Sequence, residues 1–483
     1  MITTVGELSA RRKTVILASC CLSLLIVSMD ATIVNVAIPS IRADLHASGP
    51  QMQWVVDIYT LVLASLLMLS GATGDRFGRR RVFQIGLTIF AVGSLLCSVA
   101  PDIHTLIGAR LIQGIGGSML NPVALSIISQ IFVGRVERAR ALGFWGAVVG
   151  ISMALGPIVG GFLIAAIGWR AVFWINLPIC AVAVVLTAIY VPESKSATMR
   201  DIDPIGQLLA VLSLFGLVYV LIEGPALGWT HPRIVVTAVI AAAALGAFLR
   251  YESRRHDPFI DLRFFRSIPF ASATVTAVCV FAAWGAFLFM MSLYLQGQRG
   301  YSAAQTGLIY LPIAIGALFF SPLSGRMVGR FGARPSLLVS GLLIAGASAM
   351  LAFLTPTTPV WALLVIFTVY GIGFGMVNAP ITNAAVSGMP RDRAGAASAV
   401  TSTSRQVGVS IGVALCGSVA GAALASVGSD FLEATRPLWF IGVALGLVVA
   451  GLAVFSTSER ARRSAEHLAP LIEDRRIEDA HVA

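Results

Sequence analysis

Apolar runs of about twenty residues, the length a helix needs to cross the hydrocarbon of a bilayer, recur along the chain with short polar segments between them. They lie near 14–39, 52–71, 82–100, 104–127, 141–166, 172–192, 204–223, 232–250, 268–295, 303–325, 336–355, 360–382, 397–422 and 437–457. This pattern predicts fourteen membrane-spanning helices. The loop charges test the count, because one missed or invented span would invert every later loop. Loops on one side carry Arg76, Arg79, Arg80, Arg81, Arg135, Arg138, Arg140, Lys195, Arg200, Arg250, Arg254, Arg255, Arg263, Arg266, Arg326, Arg330, Arg334, Arg391 and Arg393. Those on the other carry few cations, such as Arg170, Arg233, Arg299 and Arg436. Cations in short loops mark the cytoplasmic side, so both termini are expected there. Trp54, Trp169, Trp229, Trp361 and Trp439 fall near span ends, where indole rings anchor at the interface.

Composition agrees: 57% hydrophobic and 12% charged residues with a mean hydropathy of +0.87 describe a polytopic protein whose solvent is mostly lipid. A net charge of +11 would suit a nucleic-acid binder, but the arginines sit in short loops rather than on one face of a folded domain, and no nucleic-acid partner is expected. Cys20, Cys21, Cys97, Cys180, Cys279 and Cys416 lie within apolar runs, without the spacing of a disulfide framework or a zinc site, and read as packing residues. His46, His104, His231, His256, His467 and His481 lie in loops or the tail, so no metal or acid–base cluster is expected. No Gly-x-x-x-x-Gly-Lys-Ser/Thr loop occurs, which argues against ATP hydrolysis in this chain. An enzyme or receptor would need a nucleophile constellation or a soluble sensing domain, and neither is evident. The first run lacks a small-residue cleavage pattern and is expected to remain as a span.

One unit has been used twice. Gly-Ala-Thr-Gly-Asp-Arg-Phe-Gly-Arg-Arg-Arg from Gly71 to Arg81 packs three glycines and five charges between two apolar runs, as a tight turn at the membrane surface would. Gly71, Arg76, Phe77, Gly78 and Arg80 recur as Gly325, Arg330, Phe331, Gly332 and Arg334, 254 residues on. The segment Gly114 to Asn121 recurs as Gly371 to Asn378, 257 residues on. Two matches at nearly one offset indicate a duplicated bundle. The expected architecture is all-α: a cytoplasmic start at 1–13, a six-helix bundle at 14–192, a linker with two extra spans at 193–267, a second six-helix bundle at 268–457, and a polar tail at 458–483.

Asp30 stands about sixteen residues into the first run, about 24 Å of helical rise and past the bilayer middle. An ionised carboxylate exposed to lipid there would cost several kcal/mol, so it must face the protein interior. Arg110, in the fourth run, falls at a similar depth and is its candidate partner. The pair reads either as a proton-exchanging carboxyl biased by a guanidinium or as a permanent structural ion pair. Asp57, in the outer part of the second run, shares the proton, meets a cationic substrate, or is solvated at the interface. Glu223 reads as interfacial. Arg405, inside the thirteenth run, must find an interior partner or a water-filled cavity. The second half has no acid between Asp261 and Asp392, so proton chemistry belongs to the first half.

Arg110, Gln113, Gly114, Gly117 and Asn121 form one helical stripe that faces a central cavity, with Asn35, Asn378 and Asn383 as further polar candidates. Hydrogen bonding between helices is the alternative for each asparagine. Trp145, Phe281, Trp284, Phe287, Met290 and Met291 either build a greasy, adaptable pocket or simply pack. Gly146, Gly150, Gly156, Pro157, Gly160 and Gly161 combine backbone-close contact with a kink in the fifth run, suited to a helix on which two halves rock. In the basic turn Asp75 is placed to accept from the backbone of a helix start while Arg76 and Arg79 hold an acid, a latch completed by Gly71, Gly78 and Arg80; in the second copy Gly329 replaces Asp75.

These motifs carry a resemblance over essentially the whole chain. It resembles the major facilitator superfamily, and within it the fourteen-span drug:proton antiporter branch of the EmrB/QacA type. The basis is Gly71-x-x-x-Asp75-Arg76-x-Gly78-Arg79-Arg80, Asp30-Ala31-Thr32-Ile33-Val34-Asn35-Val36-Ala37-Ile38-Pro39, Arg110-x-x-Gln113-Gly114, and Gly146-x-x-x-Gly150 through Gly156-Pro157-x-x-Gly160-Gly161. The last pattern is associated with antiporters rather than symporters. The resemblance implies a monomeric secondary transporter of a bacterial plasma membrane, exporting amphipathic drugs, cations among them, by alternating access. Protons are the coupling ion and no cofactor is implied. Export of an endogenous lipid or secondary metabolite is the alternative.

Overall fold

The computed structural model describes residues 9–132, 134–195, 203–255, 258, 260–387, 394–420 and 431–466. Arg200, His256, Arg391, Asp392, Arg393, the first eight residues and the tail from His467, with His481, lie outside the described residues. All regular elements are helices: α1 (Ala10–Leu45), α2 (Gly49–Phe77), α3 (Arg79–Ser98), α4 (Ile103–Ile131), α5 (Arg135–Ile167), α6 (Ala171–Trp174), α7 (Asn176–Tyr190), α8 (Pro204–Leu227), α9 (Pro232–Arg254), α10 (Ile268–Leu293), α11 (Ala303–Ile309), α12 (Leu311–Phe331), α13 (Ala333–Leu351), α14 (Val360–Gly375), α15 (Asn378–Val386), α16 (Ala394–Ala420) and α17 (Phe431–Phe455).

Their starts follow from local chemistry. Ser48 and Ser302 each cap a helix reciprocally with the glutamine three residues on, and prolines near the first positions of α2, α8, α9 and α10 sit where no backbone donor is missed. Asp102 caps α4 by accepting from His104 and Thr105, and the Thr105 hydroxyl foremost holds its carboxyl below the usual range. The break between α14 and α15 frees carbonyls that serines satisfy: Ser324 and Ser336 donate to Met376 O at 2.8 and 2.7 Å, and Ser340 to Gly373 O at 2.7 Å.

Among the described residues twelve helical stretches are long and apolar enough to cross a membrane, counting α6–α7, α11–α12 and α14–α15 as one broken span each. Of the fourteen expected from the pattern, the two not among these twelve are α5 and α16. Both are long, 33 and 27 residues; α5 opens on Arg135, Glu137, Arg138 and Arg140 and then runs apolar over Ile151–Ile167, whereas α16 carries Ser398, Thr401, Ser402, Thr403, Ser404, Arg405 and Gln406. Both lie between the bundles. α5 packs on α1 in the first bundle and on α11 and α12 in the second, while α16 packs on α10 in the second bundle and on α2 in the first. So placed, α16 meets protein on several faces and can be less apolar than a helix bathed in lipid.

Helices α1 to α7 form one bundle and α10 to α17 the other. At the centre lies α10, with 94% of its apolar window buried, against 22% for α8 and for α9. The α8–α9 pair clings to the outside of the α2–α16 seam: Gln207 donates to Ser65 O at 2.5 Å, Ser418 to Leu221 O at 2.8 Å, and Trp54 Nε1 to Glu223 at 2.8 Å. Glu223 thus holds a tryptophan at a helix seam. Hydrogen bonds tie the bundles together towards the end opposite the Gly71–Arg81 turn: Gln296 donates to Val36 O at 2.9 Å, Gln53 to Val413 O at 2.5 Å, and Thr60 meets Ser410 at 2.9 Å. At that far end a Cβ on Gly161 would strike the backbone oxygen of Ala303.

Candidate functional site

Asp30 is fully buried among four helical segments. Arg110 Nη1 of α4 donates to its Oδ2, while Oδ1 accepts from Gln113 Nε2 of α4 at 2.8 Å and from Asn176 Nδ2 at the start of α7 at 3.1 Å. Ser94 of α3 joins the two amides, receiving Gln113 Nε2 at 2.8 Å and Asn176 Nδ2 at 3.2 Å. Arg110 does not present its fork to the carboxylate, the arrangement that bidentate pairing would give. Nε donates to Val55 O at 3.0 Å, Nη1 also reaches Gln113 Oε1 at 2.7 Å, and the guanidinium lies 4.2 Å from the centroid of the Tyr59 ring. Each component has a reason to stay: the carboxylate has three donors, and the cation has a carboxylate, a carbonyl and an aromatic face. A carboxylate so enclosed can exchange a proton only if water reaches it in another arrangement of the helices.

Asn176 and Ser94 were not among the sequence candidates. Their only signal was a single amide and a single hydroxyl inside apolar runs, with no periodicity tying them to Asp30. Asn176→Ala removes one donor to the charged acceptor, at about 1.5 kcal/mol. The expected result is a roughly tenfold fall in transport with a modest drop in thermal stability, read by vesicle flux and by unfolding in detergent.

Other candidates are placed differently from expectation. Gln113 lies in the buried cluster rather than on a cavity wall. Gly114 and Gly117 pack against Val62, Leu63 and Tyr59 of α2, so that stripe turns largely toward a neighbouring helix. Asn35 is buried and donates to Ala31 O and Thr32 O of its own helix, at 3.3 and 3.4 Å. Trp284 and Met290 are core residues, the indole stacked on Phe374 with ring centroids 4.3 Å apart. Trp145 is half-buried against the core of the first bundle, and its Nε1 has no hydrogen-bond partner among the described residues. Asn121 and Asn378 are half-buried, the former with Oδ1 unpartnered, and Asn383 is exposed.

Asp57 is not at a solvated interface. It is fully buried on the face of α2 that meets α16, and neither carboxylate oxygen has a hydrogen-bond partner among the described residues. Arg405 finds a hydroxyl rather than an acid, Nη2 donating to Thr382 Oγ1 of α15 at 3.0 Å.

In the basic turn Gly78 has φ +115, a conformation glycine adopts without strain, and it ends α2. The acid that accepts from the start of α3 is Glu193, from Arg80 N at 3.1 Å and Arg81 N at 3.3 Å, and not Asp75. Asp75 instead receives Arg79 Nε and Nη2 at 3.0 and 2.7 Å, while Arg79 Nη1 reaches Gln130 of α4 at 3.0 Å. Arg80 donates to Ala188 O at 2.6 Å, and Arg76 lies 5.8 Å from the Phe77 ring. The turn therefore staples α2, α3, α4 and the end of α7 within one bundle. In the second copy a Cβ on Gly329 would meet nothing within 4 Å among the described residues. Gly71 packs on Pro122, and in α5 a Cβ on Gly156 would meet Thr32 Oγ1 and on Gly160 Ile33 Cγ1, so the glycine face lies directly on α1. Gly146, Gly150 and Pro157 lie on the same helix.

The fold recurs among known proteins. The family model described as Major Facilitator Superfamily matches residues 20–413. The chain is 37% identical over 416 residues to the multidrug resistance protein Stp of Mycobacterium tuberculosis, covering 86% of this chain and 77% of that protein. It is 35% identical over 441 residues to the methylenomycin A resistance protein of Streptomyces coelicolor, covering 90% of each. Among solved structures, a bacterial homologue of the human lysosomal transporter Spinster, in an inward-facing and unoccupied conformation, superposes with a TM-score of 0.67 at 18% identity, covering 95% of this chain and 99% of that one. With its all-helical fold, duplicated bundles and matching relatives, this chain belongs to the Major Facilitator Superfamily, as a multi-pass membrane transporter rather than an enzyme.

Proposed function

We propose that this protein is a proton-coupled antiporter that exports amphipathic small molecules from a bacterial cell by alternating access. In this reading α5 and α16 also cross the bilayer, giving fourteen spans with both termini cytoplasmic, and the protein works as a monomer with no cofactor beyond the coupling proton. One observation carries the proposal: Asp30, a carboxylate fully buried in a polar cluster of α1, α3, α4 and α7, has no evident need to be there unless its charge changes during the cycle. Asp57, unpartnered in the α2–α16 seam, is the second proton site; the bundles must part along that seam for it to meet water. The relatives' names, multidrug resistance and methylenomycin A resistance, support the export of drug-like compounds.

The test uses purified protein in liposomes holding a pH-reporting dye and an imposed pH gradient. Addition of methylenomycin A or an amphipathic dye is expected to dissipate the gradient faster than in protein-free vesicles. Transport of these compounds without any linked proton movement would sink the antiport reading.

A further inference from the structure

Arg405 stands on α16 facing Phe281 of α10 and Thr382 of α15. Its guanidinium lies 5.8 Å from the Phe281 ring centroid, and its Nε is buried with no hydrogen-bond partner among the described residues. Among the described residues no carboxylate pairs with it: the ion pairs join Asp30, Asp44, Asp75, Asp203, Asp261, Glu137, Glu193 and Glu459 to other cations. Thr382 is exposed and Arg405 half-buried, so one flank of the guanidinium is open. A cation at this depth is not turned to hydrocarbon, because that would cost several kcal/mol. The open flank is the gap between the bundles.

The acids of the spans are meanwhile closed to that gap. Asp30 is held by Arg110, Asp57 is sealed against α16, and Glu223 is bound by Trp54 on the outside of the seam. A solute entering between the bundles therefore meets a positive field from one side chain. The exposed edge beside Thr382, where Nη2 lies, can donate to the oxygens of a carboxylate or sulfonate, and the Thr382 hydroxyl can turn to donate as well. Phe281, with Phe374 5.5 Å away, supplies an apolar wall for the body of such a molecule.

Resting on the export reading above, we propose that Arg405 is the recognition point for an acidic group, and that the substrates are amphipathic organic anions rather than cations. The test compares three probes sharing one ring system, naphthalene-2-carboxylate, naphthalene-2-carboxamide and naphthalen-2-ylmethylammonium, by calorimetry on purified protein in detergent with no gradient. The carboxylate is expected to bind about tenfold or more tightly than the carboxamide, with the ammonium weakest. Arg405→Gln is expected to erase the carboxylate's advantage while leaving the carboxamide unchanged, and Arg405→Lys to keep part of it. Because Arg405→Gln removes an unpaired buried charge, its elution profile and unfolding temperature are expected to match or exceed those of the parent. Absence of carboxylate binding, equal or reversed affinities, or undiminished carboxylate binding in Arg405→Gln would overturn the proposal. Anion selectivity without proton-linked transport would sink the antiport reading alone, and proton-linked export of cations would sink the anion site alone.

Discussion

Asp30→Asn is expected to abolish uphill export while leaving downhill movement of the same compound. Asparagine keeps the side-chain size and one acceptor oxygen, but it cannot bind and release a proton. Substrate accumulation against a gradient should fall to that of protein-free vesicles, and the pH dependence of the remaining flux should flatten. The variant also leaves Arg110 as a buried cation without its counter-charge, a change that costs about 3–5 kcal/mol when one member of a buried pair is removed. Lower thermal stability is therefore expected alongside the lost coupling. The double variant Asp30→Asn/Arg110→Gln separates the two effects: it should recover much of the stability, because no unpaired charge remains, and recover none of the coupling. If Asp30→Asn still released protons on substrate addition, Asp30 would be a structural ion pair and nothing more.

Gly161→Val is expected to stop turnover without unfolding the protein. Gly161 sits near the far end of α5, where its backbone lies against Ala303 and Ala304 at the start of α11 in the other bundle; a Cβ there would lie 3.0 Å from Ala303 C and 3.2 Å from Ala304 Cα. These are backbone atoms and cannot swing aside. The bulk acts between the bundles, so the strain is relieved by holding the far end apart. Overpacking of about 2 kcal/mol would shift the balance between the two arrangements by roughly thirtyfold. Transport should fall at least that far, and a spin-label pair across α5 and α11 at the far end should report a longer distance. Gly156→Val is the contrast: its Cβ would strike Thr32 and approach Met29 O at 3.0 Å, within a single bundle, so it should lower stability instead of biasing the cycle. Normal transport in Gly161→Val would show that the far end need not close as tightly as this contact implies.

Much of the architecture was legible in the order of residues. Apolar run length is a local signal, and it located the helices, with α8 and α9 among them. Asp30 and Arg110 were paired correctly from depth alone, because both must avoid lipid and few partners exist at that level. Depth is a single coordinate, however, and it could not tell which way a side chain turns. Asn35 sits five residues from Asp30 yet folds back on its own helix, while Asn176, 146 residues away, completes the carboxylate's shell. Arg110 splits its fork between a carboxylate and the Val55 carbonyl, a choice set by where α2 passes.

The physical reason for this division is the solvent. A bilayer imposes one demand on every span, that polar groups be satisfied or hidden, and a chain answers it locally through composition and length. Which helix hides a given polar group depends on contacts between distant segments, and no run of residues encodes that alone. Folding in three dimensions set α5 and α16 between two bundles, enclosed Asp57 in the α2–α16 seam, and left Arg405 facing a hydroxyl and a ring instead of an acid.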